Sequence, residues 1–237
     1  MPLPQIVTPE YITTLPSTGQ SVSYRPFLVK EEKILLMAQE GKDQSEVTNA
    51  VIKILQECIK TPLDIKQLPV FDVEWLFLQL RSKSVGEIIK LNLRHVGNKE
   101  CEHLNKIELP IADIKVTGLG KKDNIIIIDE KTGLGVELKY PNLALIDKMD
   151  IEKRSNTEIF KLITNCVYTV FDKDQVYTDF TDQELETFVG DLPQDFLKKF
   201  MDFFKNMPKV HHKLTYTCEK CKQEVTHELS GLMDFFL

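Results

Sequence analysis

A single apolar helical stripe occurs twice in this chain: Val51 to Ile59 reads VIKILQECI and Ile159 to Val167 reads IFKLITNCV. Such a repeat restricts the fold, because each copy carries apolar faces that it covers best against its twin. Agreement continues on both sides of the stripe. Thr18-Gly19 matches Thr132-Gly133, Pro26 matches Pro141, Leu68-Pro69 matches Leu192-Pro193, and Lys90-Leu91 matches Lys213-Leu214. The offsets are 114, 115, 108, 124 and 123, in constant order, so the copies differ by short insertions at loop positions. Two repeats are expected, over residues 1–115 and 116–237, packed as one unit. Each reads as a β-hairpin, then helices, then a second hairpin, which makes the fold class an internally duplicated α+β protein.

The local signals fit that plan. Ile12–Leu15 and Ser21–Tyr24 flank a Pro-Ser-Thr-Gly-Gln turn in which Gly19 can supply a positive φ. In the second repeat Ile125–Ile128, the turn at Lys131-Thr132-Gly133, and Gly135–Leu138 form the same figure. Pro26 and Pro141 cannot donate to a ladder, so each should end a strand and lead to a helix, which begins near Val29 in the first repeat. Val47, Val51, Ile54, Leu55, Cys58 and Ile59 recur at three and four residues, the spacing of one buried helical stripe. Cys58 and Cys166 therefore read as small buried hydrophobes. A helix over Asp72–Ser82, apolar on nearly every side, should be deeply buried or face a partner; its counterpart carries Phe196, Phe200, Phe203 and Phe204. Between the stripe and that counterpart lies an acidic stretch, Phe171–Asp191, where Thr181 and Glu184 have capping-box spacing. A calcium loop starting at Asp172 fails, because Tyr177 and Gln183 stand where glycine and glutamate are needed.

With 36 acidic against 30 basic residues and a net charge of −6, the chain has no general field for a phosphate backbone. Nucleic acid is thereby disfavoured as a partner. No apolar run approaches the roughly 20 residues of a membrane span, and the start lacks the pattern of a signal peptide. A cytosol-like compartment is expected, and five cysteines do not suggest a disulfide framework.

Cys218 and Cys221 form a C-x-x-C between two strand-like segments, Lys213–Thr217 and Glu224–Leu229, the arrangement that presents two thiolates to one zinc ion. Tetrahedral zinc needs two more ligands. Aligning Leu91 with Leu214 places His95 opposite Cys218, and the longer first-repeat loop adds Cys101 and His103. One structural zinc held by Cys218, Cys221, Cys101 and either His95 or His103 is chemically consistent. The competing reading is a reduced, empty knuckle whose first half has lost its ligands. A thioredoxin-like role fits less well, since that motif belongs at a helix N-terminus. Gly118-Leu119-Gly120-Lys121-Lys122 lacks the rest of a P-loop, and no nucleophile elbow or H-E-x-x-H is present. The chain is expected to be no enzyme.

Arg25-Pro26-Phe27, Val29-Lys30-Glu31-Glu32-Lys33 and the block Leu76–Glu87 resemble the baseplate hub and hub-assembly proteins of T-even-type bacteriophages. Thr217-Cys218-Glu219-Lys220-Cys221 and Gly231–Phe236 are similar to the same family. The resemblance implies a C-x-x-C knuckle in each half, from which His95 to His103 departs. It also implies a non-enzymatic tail protein, a hub subunit or a hub and tape-measure assembly chaperone, acting in the host cytoplasm or at the virion baseplate. The expected partners are the hub and tape-measure proteins, with self-association as a further expectation. Phe235 and Phe236 at the chain end are the expected partner-binding residues. The alternative function is a zinc-ribbon nucleic-acid-binding module.

Overall fold

A computed structural model describes residues 7–41, 44–95, 101, 103–120, 124–147, 156–231 and 233–235. Among them the chain begins with a hairpin, β1 (Tyr11–Thr14) and β2 (Ser21–Tyr24), followed by α1 (Val29–Glu40), α2 (Gln44–Cys58) and α3 (Val70–Ser84). A second hairpin, β3 (Ile88–Arg94) and β4 (Leu104–Pro110), leads to β5 (Lys115–Thr117). Then come β6 (Ile125–Asp129), β7 (Leu134–Leu138), α4 (Leu143–Asp147), α5 (Asn156–Cys166), β8 (Val167–Phe171) and β9 (Val176–Tyr177). The chain continues through α6 (Asp182–Gly190), α7 (Gln194–Asn206), β10 (Lys209–Thr217) and β11 (Glu224–Ser230). The protein is thus mixed α+β, with its strands in small antiparallel sheets.

Two compact units result, and they divide the chain differently from the expected repeats at 1–115 and 116–237. Unit 1 holds residues 1–65, 71–117 and 209–237; unit 2 holds residues 66–70 and 118–208. The C-terminal hairpin belongs to unit 1 because the start of β10 pairs with β5, Lys209 opposite Thr117 and His211 opposite Lys115. Hydrogen bonding, and not position in the chain, decides which segments pack together.

In unit 1 the predicted stripe is buried through Cys58, with Val47, Val51, Ile54, Leu55 and Cys58 all at or below 5 % exposure, while Ile59 lies one residue beyond α2 and is half-buried. Burial pushes the Cys58 thiol up to about 11, as expected of an inert small hydrophobe. Helix α3 is sunk on nearly every side, with Phe71, Val73, Leu76, Phe77, Leu78 and Leu80 buried. Its one fully buried carboxylate, Asp72, accepts from the Ser17 backbone N–H at 3.0 Å and from the Ser17 hydroxyl, so it fastens the turn of the first hairpin. Leu78, Ile89, Leu91, Leu109, Ile111, Val210, Leu229 and Phe235 form a second core cluster.

Phe235 corrects an expectation. A short 3-10 turn, Met233–Phe235, follows Gly231 at φ 79°, and Asp234 accepts the Ser230 N–H at 2.8 Å. That turn folds the Phe235 ring back into unit 1 at 1 % exposure, so it is core and not a docking ring. Burying one aromatic is worth about 1.5–3 kcal/mol, which offsets part of the cost of ordering the turn. Phe236 lies outside the described residues.

In unit 2 the four-stranded sheet runs β6-β7-β8-β9. Ile126, Val136 and Val170 turn one face of it toward Ile163, Cys166, Leu185, Val189, Phe196, Phe200 and Phe203 on the helices. Burial pushes the Cys166 thiol up to about 12. The capping box is present at α6: the Thr181 hydroxyl accepts the Glu184 N–H at 3.2 Å, and the Glu184 carboxylate accepts the Thr181 N–H at 2.8 Å. Val167 opens β8 and does not extend the helical stripe, so sequence periodicity overshoots the helix by one residue.

At the start of α1, Glu31 is 1 % exposed and its carboxylate accepts from Arg25 Nη2 at 2.8 Å and from the Leu28 N–H at 2.8 Å. Burial pushes this carboxyl up, but Arg25, the Leu28 N–H and Lys30 outweigh it and hold it below the ordinary glutamate range. Its stabilising contribution is therefore fully present above the unfolded value and lost as pH falls through the lower folded value. Removing one partner of a buried pair costs about 3–5 kcal/mol. Glu31→Ala is expected to lower stability by that amount in urea titrations at pH 7. The gap should shrink below about pH 4, near the unfolded carboxyl value; a gap independent of pH would refute the assignment.

Candidate metal centre

Two hairpins of unit 1 meet at their tips. In β3–β4 the ladder runs from Ile88 opposite Pro110 to Arg94 opposite Leu104, and the His95 N–H extends it to the His103 carbonyl at 3.3 Å. In β10–β11 it runs from His211 opposite Ser230 to Thr217 opposite Glu224. Beyond Thr217 the chain turns tightly: the Cys218 N–H reaches the Gln223 carbonyl at 2.8 Å and the Lys222 N–H reaches the Cys218 carbonyl at 2.9 Å. Lys222 adopts φ 60°, the left-handed region that most side chains avoid, so the turn is held against a local cost of about 1–2 kcal/mol.

His95 and Cys101 from the first tip, and Cys218 and Cys221 from the second, bring one ligand atom each to within 4.8 Å of one another. Cys101 Sγ lies 3.7 Å from Cys218 Sγ, and Cys221 Sγ lies 3.2 Å from His95 Nδ1. Two thiolates on a tetrahedral zinc, with bonds of about 2.3 Å, are about 3.8 Å apart; a thiolate and an imidazole are about 3.6 Å apart. The observed spacings fit such an ion, and 3.7 Å is far beyond a disulfide bond, consistent with five free cysteines. The cluster can hold a metal ion, and it selects His95 from the two histidines that sequence left open. His103 points elsewhere, its Nε2 lying 3.4 Å from the Glu219 carboxylate.

The electrostatics favour a cation. Backbone N–H groups at Cys221 and Lys220 overcome burial and bring the Cys218 thiol down to about 6. At Cys221 the N–H of Gln223 lowers the thiol, but burial and the neighbouring Cys218 and Cys101 sulfurs outweigh it and leave it raised. The Cys218 and Cys221 sulfurs thus oppose one another's ionisation, a repulsion that a divalent ion relieves by binding thiolates. Cys218 has 0 % exposure, so its lowered value does not provide the partly exposed setting of a reactive nucleophile.

Sequence reasoning missed the residues that hold the tips together. Asn105 on β4 is fully buried; its Oδ1 accepts the Glu219 N–H at 2.8 Å and its Nδ2 donates to the His103 and Leu93 carbonyls at 3.3 and 3.4 Å. Tyr216 donates its hydroxyl to the Arg94 carbonyl at 3.3 Å. A signal for Asn105 existed. It occupies the inward phase of the alternation that continues with Ile107 and Leu109, where an amide must satisfy itself internally. The other candidate features remain separate. Asp172 spends its carboxylate on the Asp174 and Gln175 N–H groups and the Tyr177 hydroxyl, and Gly118 and Gly120, at φ 84° and 81°, form a turn.

Among the described residues, the mixed α+β fold thus brings together between two hairpins one His/Cys cluster that could hold a metal ion. The chain belongs to the family described as T4 bacteriophage base plate protein, whose family model matches residues 8–237. It is a phage baseplate protein, and the baseplate is where it meets other tail proteins. No curated protein and no solved structure matches it. Among the described residues no helix is long and apolar enough to cross a membrane.

Asn105→Ala is expected to cost about 1–3 kcal/mol, because it removes the acceptor of the part-buried Glu219 N–H and the donor to the His103 and Leu93 carbonyls. Thermal unfolding of the purified protein measures this, and a change below about 0.5 kcal/mol, the usual size of a surface effect, would show that the amide does not clamp the tips.

Proposed function

We propose that this chain acts without catalysis in building the baseplate hub, as a hub subunit or as a chaperone for the hub and its tape-measure protein. The observation that carries the reading is the packing of the two segments with the strongest hub resemblance. The Phe27 N–H of the Arg25-Pro26-Phe27 segment donates to Ser84 Oγ at 2.9 Å, and Ser84 Oγ in turn donates to the Leu80 carbonyl at 2.6 Å. Arg25 and Glu31 lock the same corner from within. The hub-like residues therefore form one constructed corner of unit 1, and base plate family membership over nearly the whole chain supports an assembly role. Its working sites are the host cytoplasm during assembly and the baseplate itself.

The zinc-ribbon alternative, with nucleic acid as ligand, draws no support from a chain of net charge −6. In the hub reading the zinc is structural: His95, Cys101, Cys218 and Cys221 hold it, and it supplies a cross-link between the hairpin tips. Internal duplication is also part of this reading. Its support is local. The Arg25 N–H bonds to the Cys58 carbonyl at 3.0 Å in one repeat and the Lys139 N–H bonds to the Cys166 carbonyl at 2.7 Å in the other. Gly19 and Gly133 share φ 72° in the matching turns.

Co-expression with hub and tape-measure proteins followed by affinity capture tests the role. Association with a hub component, together with defective tails from a deletion phage, is expected; normal tails and no tail-protein association would end the proposal. For the metal, about one zinc per chain is expected by elemental analysis, and Cys218→Ser should lose it and melt well below the parent protein, because structural zinc contributes directly to folding. Zinc retained at an unchanged melting temperature would contradict the site.

A further inference from the structure

Unit 2 carries an open cavity of about 310 Å³ lined by Leu134, Val170, Tyr177, Phe180, Leu185 and Phe188, with Asp172 and Glu184 at its rim. Its floor continues the unit 2 core: Val170 and Leu185 are buried, and Leu134, Phe180 and Phe188 pack against the same cluster. Beside it Val176 stands 66 % exposed, and Tyr177 is 39 % exposed although its hydroxyl donates to Asp172 at 2.9 Å. A volume of this size is at the small end of ligand pockets, about 300–1,000 Å³, and admits a large apolar side chain.

The rim is strongly one-signed. Residues Phe171–Asp191 hold seven carboxylates against the single cation of Lys173, a balance of −6 that equals the net charge of the entire chain. The two rim carboxylates are held ionised. N–H groups of Asp174 and Gln175 and the Tyr177 hydroxyl keep Asp172 below its ordinary value, and the Thr181 N–H and hydroxyl do the same for Glu184. Asp174, Asp179, Asp182 and Glu186 are exposed around them. Lys173, the single cation within this stretch, turns its Nζ to the Lys131 carbonyl.

We infer that this cavity is a docking site for a segment of another protein that inserts one large apolar side chain flanked by lysine or arginine. The apolar floor supplies affinity by burial, and the rim selects the flanking charge and accelerates encounter. Anionic ligands, nucleic acid included, are repelled by the same rim. The stretch that builds the rim has no counterpart in the first repeat: 27 residues lie between Cys166 and Gln194, against 11 between Cys58 and Val70. The inference rests on unit 2 geometry and deepens the hub reading by naming the kind of partner segment.

The test uses the full chain and three fluorescein-labelled synthetic peptides in anisotropy titrations: a phenylalanine flanked by lysines, the same phenylalanine flanked by glutamates, and a serine flanked by lysines. The lysine-phenylalanine peptide is expected to bind at least about tenfold more tightly than either control and to weaken as salt rises. The exposed triple variant Asp174→Asn, Asp179→Asn, Glu186→Gln should melt like the parent and lose most of the preference for lysine flanks. Tyr177→Ala should weaken the phenylalanine peptide selectively. Equal binding of lysine and glutamate flanks, no saturable binding up to about 1 mM, or an unaltered preference in the triple variant would overturn the inference. So would a Tyr177-dependent dimer in sedimentation velocity, which would assign the cavity to a second copy. Because no hub protein is present, failure here leaves the affinity-capture result on hub assembly to be judged separately.

Discussion

The meeting of two hairpin tips governs the topology of unit 1. Cys101 and Cys218 are 117 residues apart in sequence, yet their sulfurs lie 3.7 Å from each other. Residues 118–208, the longer of the two segments of unit 2, lie between them in sequence. Closing a loop of that length costs about 4 kcal/mol in its length-dependent part alone. The β5–β10 pairing, the Asn105 amide and the Leu229 and Phe235 side chains offset part of this. The proposed zinc would dominate the balance, since structural zinc supplies on the order of 10–16 kcal/mol.

That arrangement gives a division of labour consistent with a baseplate protein. Unit 1 contains the buried Arg25–Glu31 pair, the Ser84 contact and the His/Cys cluster, groups that fix a shape. Unit 2 contains the acidic stretch and the open apolar cavity, groups suited to meeting another chain. The Cys218 sulfur suits the first role, because it is fully buried beside three other potential metal ligands.

Much of this was legible in the residues. Helical spacing identified the buried faces of α2 and α5, Gly19 and Gly133 marked the turns, and Thr181 with Glu184 marked the start of α6. The C-x-x-C located the second tip, and aligning Leu91 with Leu214 brought in Cys101 with His95 or His103 as the remaining candidates, of which the cluster holds Cys101 and His95. What escaped was decided by partners distant in sequence. Strand β5 is three residues long and exists because β10 runs beside it. Strands β8 and β9 lie where a helical stripe passes into an acidic stretch, and neither period is long enough there to declare itself. Phe235 looks like a terminal docking ring until the cluster around Leu78 and Ile89 is assembled.

Hydrogen exchange with and without a zinc chelator tests the central claim most directly, because it reads each hairpin separately. Amides of β3–β4 and β10–β11 should lose protection together on chelation, while β6, β7 and β8 keep theirs. Loosening of β10–β11 with the unit 2 sheet while β3–β4 stays protected would contradict the account, as would unchanged exchange in both hairpins after the metal is removed.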